Sequence, residues 1–333
     1  MYGAALIGLG RIASLLEDDP LREKPCTHAG ALVATGRCTP VGGMDIDPER
    51  RRLFRERWTV PVFSDAREMV RATRPHILVV ATHPDSHEQY VALAAEEGVP
   101  VVVCEKPLAH SVRSARRIVA IEQTAKSRIV VNHERRFSRD YQLTREAVRQ
   151  ERYGALLGVS GVLYFGKNAR HDRVLLHDGT HLIDAIHFLT DDRITIHHRV
   201  GSLRSNRSSA FLMGTLDARD IPIQVEIGAE RDYLHLEIVL SFSAGRIRVG
   251  NGIFSWERSV TSPWYSGYRS LAPLPRSVPE PTGYFLGMME EAIRLVDNPR
   301  AESSSRAIDA FAVMQVIARA SSIMQRLVST KPI

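Results

Sequence analysis

Cysteine is scarce in this chain, three residues in 333, and the scarcity excludes two classes at once. Cys26, Cys38 and Cys104 form an odd set without a Cys-x-x-Cys spacing, so neither a disulfide framework nor a zinc knuckle is expected, and the thiols should be reduced. Long apolar runs are missing too. No stretch approaches the roughly 18 residues of a membrane-spanning helix, and the first residues lack the basic, hydrophobic and small-residue succession of a secretory leader. The expectation is a cytoplasmic protein with no membrane partner. Aromatic residues make up only 7% of the chain, and the net charge of +6, from 44 basic against 38 acidic residues, is dispersed without an aromatic-interleaved basic stripe. Nucleic acid is therefore not an expected partner, and an anionic small molecule fits better. No internal repeat or low-complexity tract occurs. The remaining composition, 44% hydrophobic and 25% charged over 333 residues, is that of a soluble globular enzyme with more than one core.

The N-terminus carries the strongest local signal. A short apolar run ends at Gly8-Leu9-Gly10-Arg11-Ile12-Ala13, which reads as a strand, a glycine turn and a helix. Gly8 permits the tight turn, and Gly10 lets the backbone N–H groups of the turn, with Arg11 and Ile12, approach a diphosphate. Small Ala13 lets the helix pack on the strand. A second apolar stretch, Cys38 to Met44, ends in Asp45, placed to accept from a ribose 2′-hydroxyl; the alternative is an acid capping the helix that begins at Pro48. The spacing from the fingerprint to Asp45 exceeds the usual ~20 residues. The first βα unit therefore carries an insertion, read as Glu17 through Pro25. No basic residue directly follows Asp45, which favours NAD, although Arg50, Arg51 and Arg52 keep NADP as the alternative.

Strands and helices alternate through the first part. Ile77–Ala81 and Val99–Cys104 are apolar throughout, as parallel strands covered on both faces should be. Between them a helix is expected from Ser86 to Glu97, closed by Gly98. Such repetition implies a doubly wound parallel sheet with its ligand at the carboxyl ends of the strands. Thr82, His83 and His87 lie at one such end, and Glu105-Lys106-Pro107 at the next. Past about residue 126 the pattern changes to strands at 156–165, 195–203, 210–216, 221–229, 233–242 and 246–250, with turn signals and no helices between most of them. This predicts an α/β chain whose C-terminal domain carries a large, mostly antiparallel open sheet. Two closing helices, 284–296 and 303–325, follow a proline-rich connector at 273–281. The expected domains are 1–125, binding the dinucleotide, and 126–333, binding substrate.

The order GLGRIA (8–13), the strand ending in Asp45, THPDSH (82–87), EKP (105–107), VVNHERRF (130–137) and HDGTHLID (177–184) resembles the glucose–fructose oxidoreductase, inositol dehydrogenase and MocA-like group of NAD(P)-dependent sugar and polyol dehydrogenases. The resemblance covers most of the chain. It implies a Rossmann domain followed by an α/β domain whose open sheet makes a homodimer or homotetramer. It further implies that Lys106 is a catalytic and substrate-binding lysine, often joined by a cis bond to Pro107, and that His181 is the acid/base residue. By the same carry-over, Asn132 and His87 would line the nicotinamide and substrate region, with Glu105 also among the cofactor contacts. Where the family usually has Asp two residues before the glycine, this chain has His177, followed by Asp178. The departure weakens the inference to inositol-type substrates more than the inference to a dehydrogenase.

An imidazole near neutral pKa suits removal of a hydroxyl proton, and an ammonium can stabilise developing negative charge on that oxygen. His181 and Lys106 are assigned these tasks. His177 is read as either a substrate contact and proton relay or a structural residue. Asp178, Arg136 and Lys167 complete the expected substrate contacts, with Arg135, Arg170, His171 and Arg173 as further basic candidates in the same segments. Tyr265 and Tyr268 would stack on a sugar or serve an oligomer contact. Two rivals remain. His177 and His181 have the spacing of a zinc-hydrolase helix, although a central glycine and the absence of an evident third ligand oppose it, so no metal is expected. A cofactor-binding regulator without turnover is the other.

Overall fold

The computed structural model describes residues 1–166, 170–205, 209–275 and 283–327, and the chain divides into two compact units. The first begins with six parallel strands: β1 (Tyr2–Ile7), β2 (Cys38–Met44), β3 (Val62–Phe63), β4 (Ile77–Val80), β5 (Val101–Cys104) and β6 (Arg128–Val131). Their order is β3-β2-β1-β4-β5-β6, so the chain reverses direction across the sheet between β1 and β4. Helices α1 (His28–Ala34), α2 (Pro48–Trp58), α3 (Ala66–Thr73), α4 (His87–Glu96) and α5 (Val112–Thr124) connect them. Side chains alternate between faces along each strand. Ala5, Ile7, Leu78 and Val102 therefore pack with Met69, Val91 and Ile118 on one face. Ala4, Leu6, Ile77 and Val101 pack with Leu32 and Phe54 on the other.

The helix expected directly after the glycine turn is split. The amides of Ser14 and Leu16 bond back to the carbonyls of Gly10 (3.1 Å) and Arg11 (2.9 Å), forming one turn. A short 3-10 segment, Leu15–Asp18, then leads the chain away. It returns at Thr27, whose hydroxyl caps α1 by accepting from the Gly30 amide. The amides of His28 and Ala29 bond to the carbonyls of Ile12 and Ala13, both at 3.0 Å. The insertion is thus spliced into the first helix, whose opening turn stays in place.

The second unit spans 138–282 and 315–333. It contains α6 (Arg139–Arg149), β7 (Leu156–Tyr164), α7 (His171–His177), α8 (Gly179–Thr190), β8 (Ile194–Val200), β9 (Ala210–Leu216), β10 (Ile221–Gly228), β11 (His235–Phe242), β12 (Gly245–Gly250), β13 (Ile253–Thr261) and β14 (Arg269–Pro273). Eight strands pair in the order β14-β13-β12-β11-β7-β10-β9-β8. Every pair is antiparallel except β7 with β10. Strands β13 and β14, the edge strand and its neighbour, are not legible in the sequence because few of their positions are buried and the period-2 signal is faint. Residues 276–282 of the connector lie outside the described residues.

Helix α9 (Tyr284–Asp297) and the start of α10 (Ala307–Leu327) return to the first unit. Met288, Met289, Ala292, Ile293 and Leu295 join the core that holds Leu6, Leu32 and Val103. This corrects the expected boundary at 125/126. The first unit comprises 1–137 and 283–314, because β6 is its sixth strand and α9 packs on β4, β5 and β6, beside the part of that face held by Leu32 and Phe54. No helix among the described residues is long and apolar enough to cross a membrane.

Candidate cofactor and active site

At the tip of β1, Gly8 has φ +84, and a Cβ there would stand 2.7 Å from the Ala81 carbonyl oxygen. A larger residue is excluded both by conformation and by space. A Cβ on Gly10 would meet only Arg50 Nη1, at 3.7 Å, so that side of the turn is open. Among the described residues the amides of Gly10, Arg11 and Ile12 donate to no protein acceptor. These are the first N–H groups of a helical turn, the donors that bind phosphate in dinucleotide folds. The residues present therefore fit a diphosphate.

Asp45 is 4% exposed and does not cap α2, a task performed by Asp47, which accepts from the Glu49 amide. Its Oδ2 accepts from the Leu9 amide at 2.8 Å and its Oδ1 from the Asp47 amide at 2.9 Å, locking the glycine turn to the end of β2. Of the three arginines that could meet a 2′-phosphate, Arg51 donates to the carbonyls of Asp45 and Ile46. Arg52 pairs with Glu49 and Glu56. Only Arg50 remains close, its Nη1 3.6 Å from Asp45 Oδ2. The Asp45 carboxylate repels a 2′-phosphate and Arg50 offsets part of that charge. Wild-type protein should bind NADH more tightly than NADPH, and Asp45→Asn should narrow the ratio by about 10-fold or more in fluorescence titrations. An unchanged ratio would remove Asp45 from the ribose site.

Beyond β5 the chain forms a buried polar knot. Glu105 Oε1 lies 2.7 Å from His28 Nε2 and accepts from Asn132 Nδ2 at 2.5 Å, while Oε2 accepts from the Lys106 amide at 3.2 Å. Burial alone would raise the Glu105 carboxyl, but the hydrogen bond and charge of His28, the Asn132 amide and the Lys106 charge outweigh it and hold the group at about 2. Both oxygens are engaged, so Glu105 holds the loop and is not the direct cofactor contact expected. His28, 77 positions away, was missed in the sequence, where nothing local links it to Glu105. Two buried atoms in this knot, His28 Nδ1 and Asn132 Oδ1, have no partner. Lys106 and Pro107 are joined by a cis bond, as the resemblance implied.

Two expected contacts are corrected. His87 is 0% exposed, with Nδ1 3.2 Å from the Leu108 carbonyl and Nε2 3.1 Å from the Thr82 carbonyl, so both ring nitrogens clasp loops and neither reaches a cofactor. Burial lowers its pKa. Arg136 is 7% exposed. Its Nη1 donates to the Ser304 carbonyl at 2.8 Å and lies 3.4 Å from Asp309 Oδ2, tying the end of the first segment to the start of α10. These contacts make it a staple between the two segments. Arg135 pairs with Glu134 at 3.1 Å. Thr82 and His83 remain partly or fully exposed on the loop after β4.

In the second unit, α7 ends at His177 and α8 begins at Gly179, with Asp178 as the joint. The two histidines therefore do not share one helix. His177 is 72% exposed and its Nδ1 lies 3.1 Å from Asp178 Oδ2, whereas His181 is buried in the first turn of α8. Asp178 thus turns toward His177. No group of three or more His, Cys, Asp or Glu among the described residues could hold a metal ion. His171 is buried against the Ser202 carbonyl, and Arg170 pairs with Asp172. Lys167 lies outside the described residues. Tyr265 and Tyr268 are exposed and meet edge to face, ring centroids 6.5 Å apart.

Residues 3–133 match the model of the Gfo/Idh/MocA group, described as an oxidoreductase family with an NAD-binding Rossmann fold. Residues 3–133 are thus similar to the NAD-binding domain of that family. Inositol 2-dehydrogenase of Paracoccus denitrificans (strain Pd 1222) is 34% identical over 140 residues, 39% of this chain and 40% of that protein. The chain spans about half the length of the curated relatives it matches. The similarity in fold extends further. A dehydrogenase from Chromobacterium violaceum superposes with a TM-score of 0.80 at 16% identity, covering 98% of this chain and 97% of the other. The WlbA dehydrogenase of Bordetella pertussis, solved with NADH and UDP-GlcNAcA, gives 0.74 at 18% identity, covering 96% of each.

Proposed function

We propose that the protein is an NAD-dependent oxidoreductase acting on a hydroxyl or keto carbon of a sugar, polyol or nucleotide-linked sugar. The observation that carries this reading is the row of unbonded amides at Gly10, Arg11 and Ile12, beneath a glycine whose neighbours leave no room for a side chain and beside the buried Asp45. Bound nicotinamide would supply hydride transfer. The amides would hold the diphosphate and Asp45 the ribose. Lys106, its main chain set by Glu105, would offer positive charge to the reacting oxygen, and His181 would exchange the hydroxyl proton. The inositol dehydrogenase relative and the nucleotide-sugar complex of WlbA support the substrate class. Exposed Leu157, Val200 and Met213 on strands of the eight-stranded sheet support homo-oligomerisation.

Purified protein with NAD or NADH should change nicotinamide absorbance with at least one member of a panel of polyols, sugar acids and sugar nucleotides, and should scatter light as a dimer or tetramer. Binding of NADH without even a single turnover across the panel would favour the regulator reading; failure to bind it would end the oxidoreductase reading altogether.

A further inference from the structure

We propose that the groove at the carboxyl ends of β7 and β10 binds an acidic sugar, Arg231 holding its carboxylate or phosphate while Asp232 and Tyr233 engage the ring. The inference rests on the oxidoreductase reading for its relevance to substrate, and on the second unit alone for its geometry. The groove encloses about 450 Å³ and is lined by Phe165, Gly166, Arg231, Asp232, Tyr233 and Leu234. Its position follows from topology. β7 and β10 are the sheet's parallel pair, with Tyr164 opposite Gly228 at their ends. The Phe165 amide extends that ladder by bonding to the Gly228 carbonyl at 3.1 Å.

The cation is built in, not loosely displayed. The Arg231 guanidinium lies 4.5 Å above the Tyr164 ring. Its Nη1 donates to the Ala229 carbonyl at 2.9 Å and its Nη2 to Ser209 Oγ at 3.2 Å. A guanidinium has five N–H donors, so about three are left. Among the described residues no carboxylate forms an ion pair with it. Gly228 makes the stack possible, because a Cβ there would come 2.6 Å from Tyr164 Cδ1 and 3.4 Å from Arg231 Cζ. The charge is felt nearby: at buried His171, burial first and then Arg231 lower the imidazole pKa against the opposing Ser202 carbonyl.

A preoriented fork with spare donors selects a planar or tetrahedral anion. The rest of the lining selects what carries it. Tyr233 meets Tyr164 edge to face at 6.1 Å and is 52% exposed, presenting an aromatic surface to ring C–H groups. Exposed Asp232 accepts from hydroxyls, which a simple inorganic anion lacks. Cation, acceptor and aromatic surface together describe a hydroxylated ring bearing an acid.

The test is equilibrium binding by ligand-observed NMR on the full chain with glucuronate, glucose 6-phosphate and glucose, alongside an NADH titration. At least one acid should bind about 10-fold more tightly than glucose, and the two acids distinguish carboxylate from phosphate as the preferred group. Arg231→Gln should erase that preference and Arg231→Lys restore part of it, while Tyr233→Ala weakens all three sugars. Both Arg231 variants should keep the wild-type NADH affinity and the wild-type circular dichroism spectrum, the latter certifying the fold of the unit that holds Arg231. Equal binding of glucose and both acids to wild type, or an acid preference that survives Arg231→Gln, overturns the proposal. Sugar binding without NADH binding would instead sink the oxidoreductase reading and leave the groove standing.

Discussion

Replacing Lys106 with alanine is expected to lower turnover on the physiological substrate by about 10³-fold, with the NADH dissociation constant changed less than about threefold. The separation of effects follows from the local structure. The Lys106 amide is held by Glu105 Oε2 at 3.2 Å, so the main chain of the loop is set independently of the ammonium group. The contacts proposed for the diphosphate and ribose lie elsewhere, at the amides of Gly10 to Ile12 and at Asp45. Removing the ammonium takes away charge stabilisation of the reacting oxygen and leaves the dinucleotide cradle intact. His181→Ala should cost a comparable factor by a different route, loss of the proton acceptor. Stopped-flow nicotinamide absorbance and NADH fluorescence separate the two quantities. Wild-type turnover in either variant would show that its side chain has no part in the chemistry.

The second large effect is on stability. Glu105→Leu replaces the carboxylate with a slightly shorter apolar side chain and leaves His28, Asn132 and the Lys106 amide without their shared acceptor. Each buried donor stranded in this way costs about 1–3 kcal/mol, so a loss of roughly 3–5 kcal/mol is expected in urea unfolding near neutral pH. The effect carries a pH signature. The folded carboxyl sits at about 2, below its ordinary value of 4.5. The charged form therefore contributes stability that is present above pH ~4.5 and fades as the pH falls toward 2, a difference of about 3 kcal/mol. The gap between wild type and Glu105→Leu should shrink over that window. A gap independent of pH would mean that the carboxylate is not what the knot depends on.

These two residues also mark how far the sequence could be read. The position of Lys106 was legible because Glu-Lys-Pro follows an apolar parallel strand, a local pattern, whereas its proposed role rests on the family resemblance. The function of Glu105 was not legible, because its principal partner His28 is 77 positions earlier, beyond an insertion that leaves the helix and rejoins it. The surroundings of His87 and Arg136 were illegible for a related reason. Residue type and motif position suggested ligand contacts, but burial between backbone carbonyls, or against Ser304 and Asp309, turned both into struts. The domain boundary was missed because α9 is an ordinary amphipathic helix in sequence, and nothing within it names the sheet it covers.

Strand periodicity, the glycine turn, the acid at the end of β2 and the lysine after β5 are properties of neighbouring residues. The amino-acid order alone therefore determined the doubly wound nucleotide domain and the mostly antiparallel sheet. Which polar groups bond to each other, which stay open to a ligand and where the chain returns to complete its first core depend on residues tens to hundreds of positions apart. Only the folded chain decides these, because hydrogen bonds and apolar contacts act over a few ångströms of space whatever their separation in sequence.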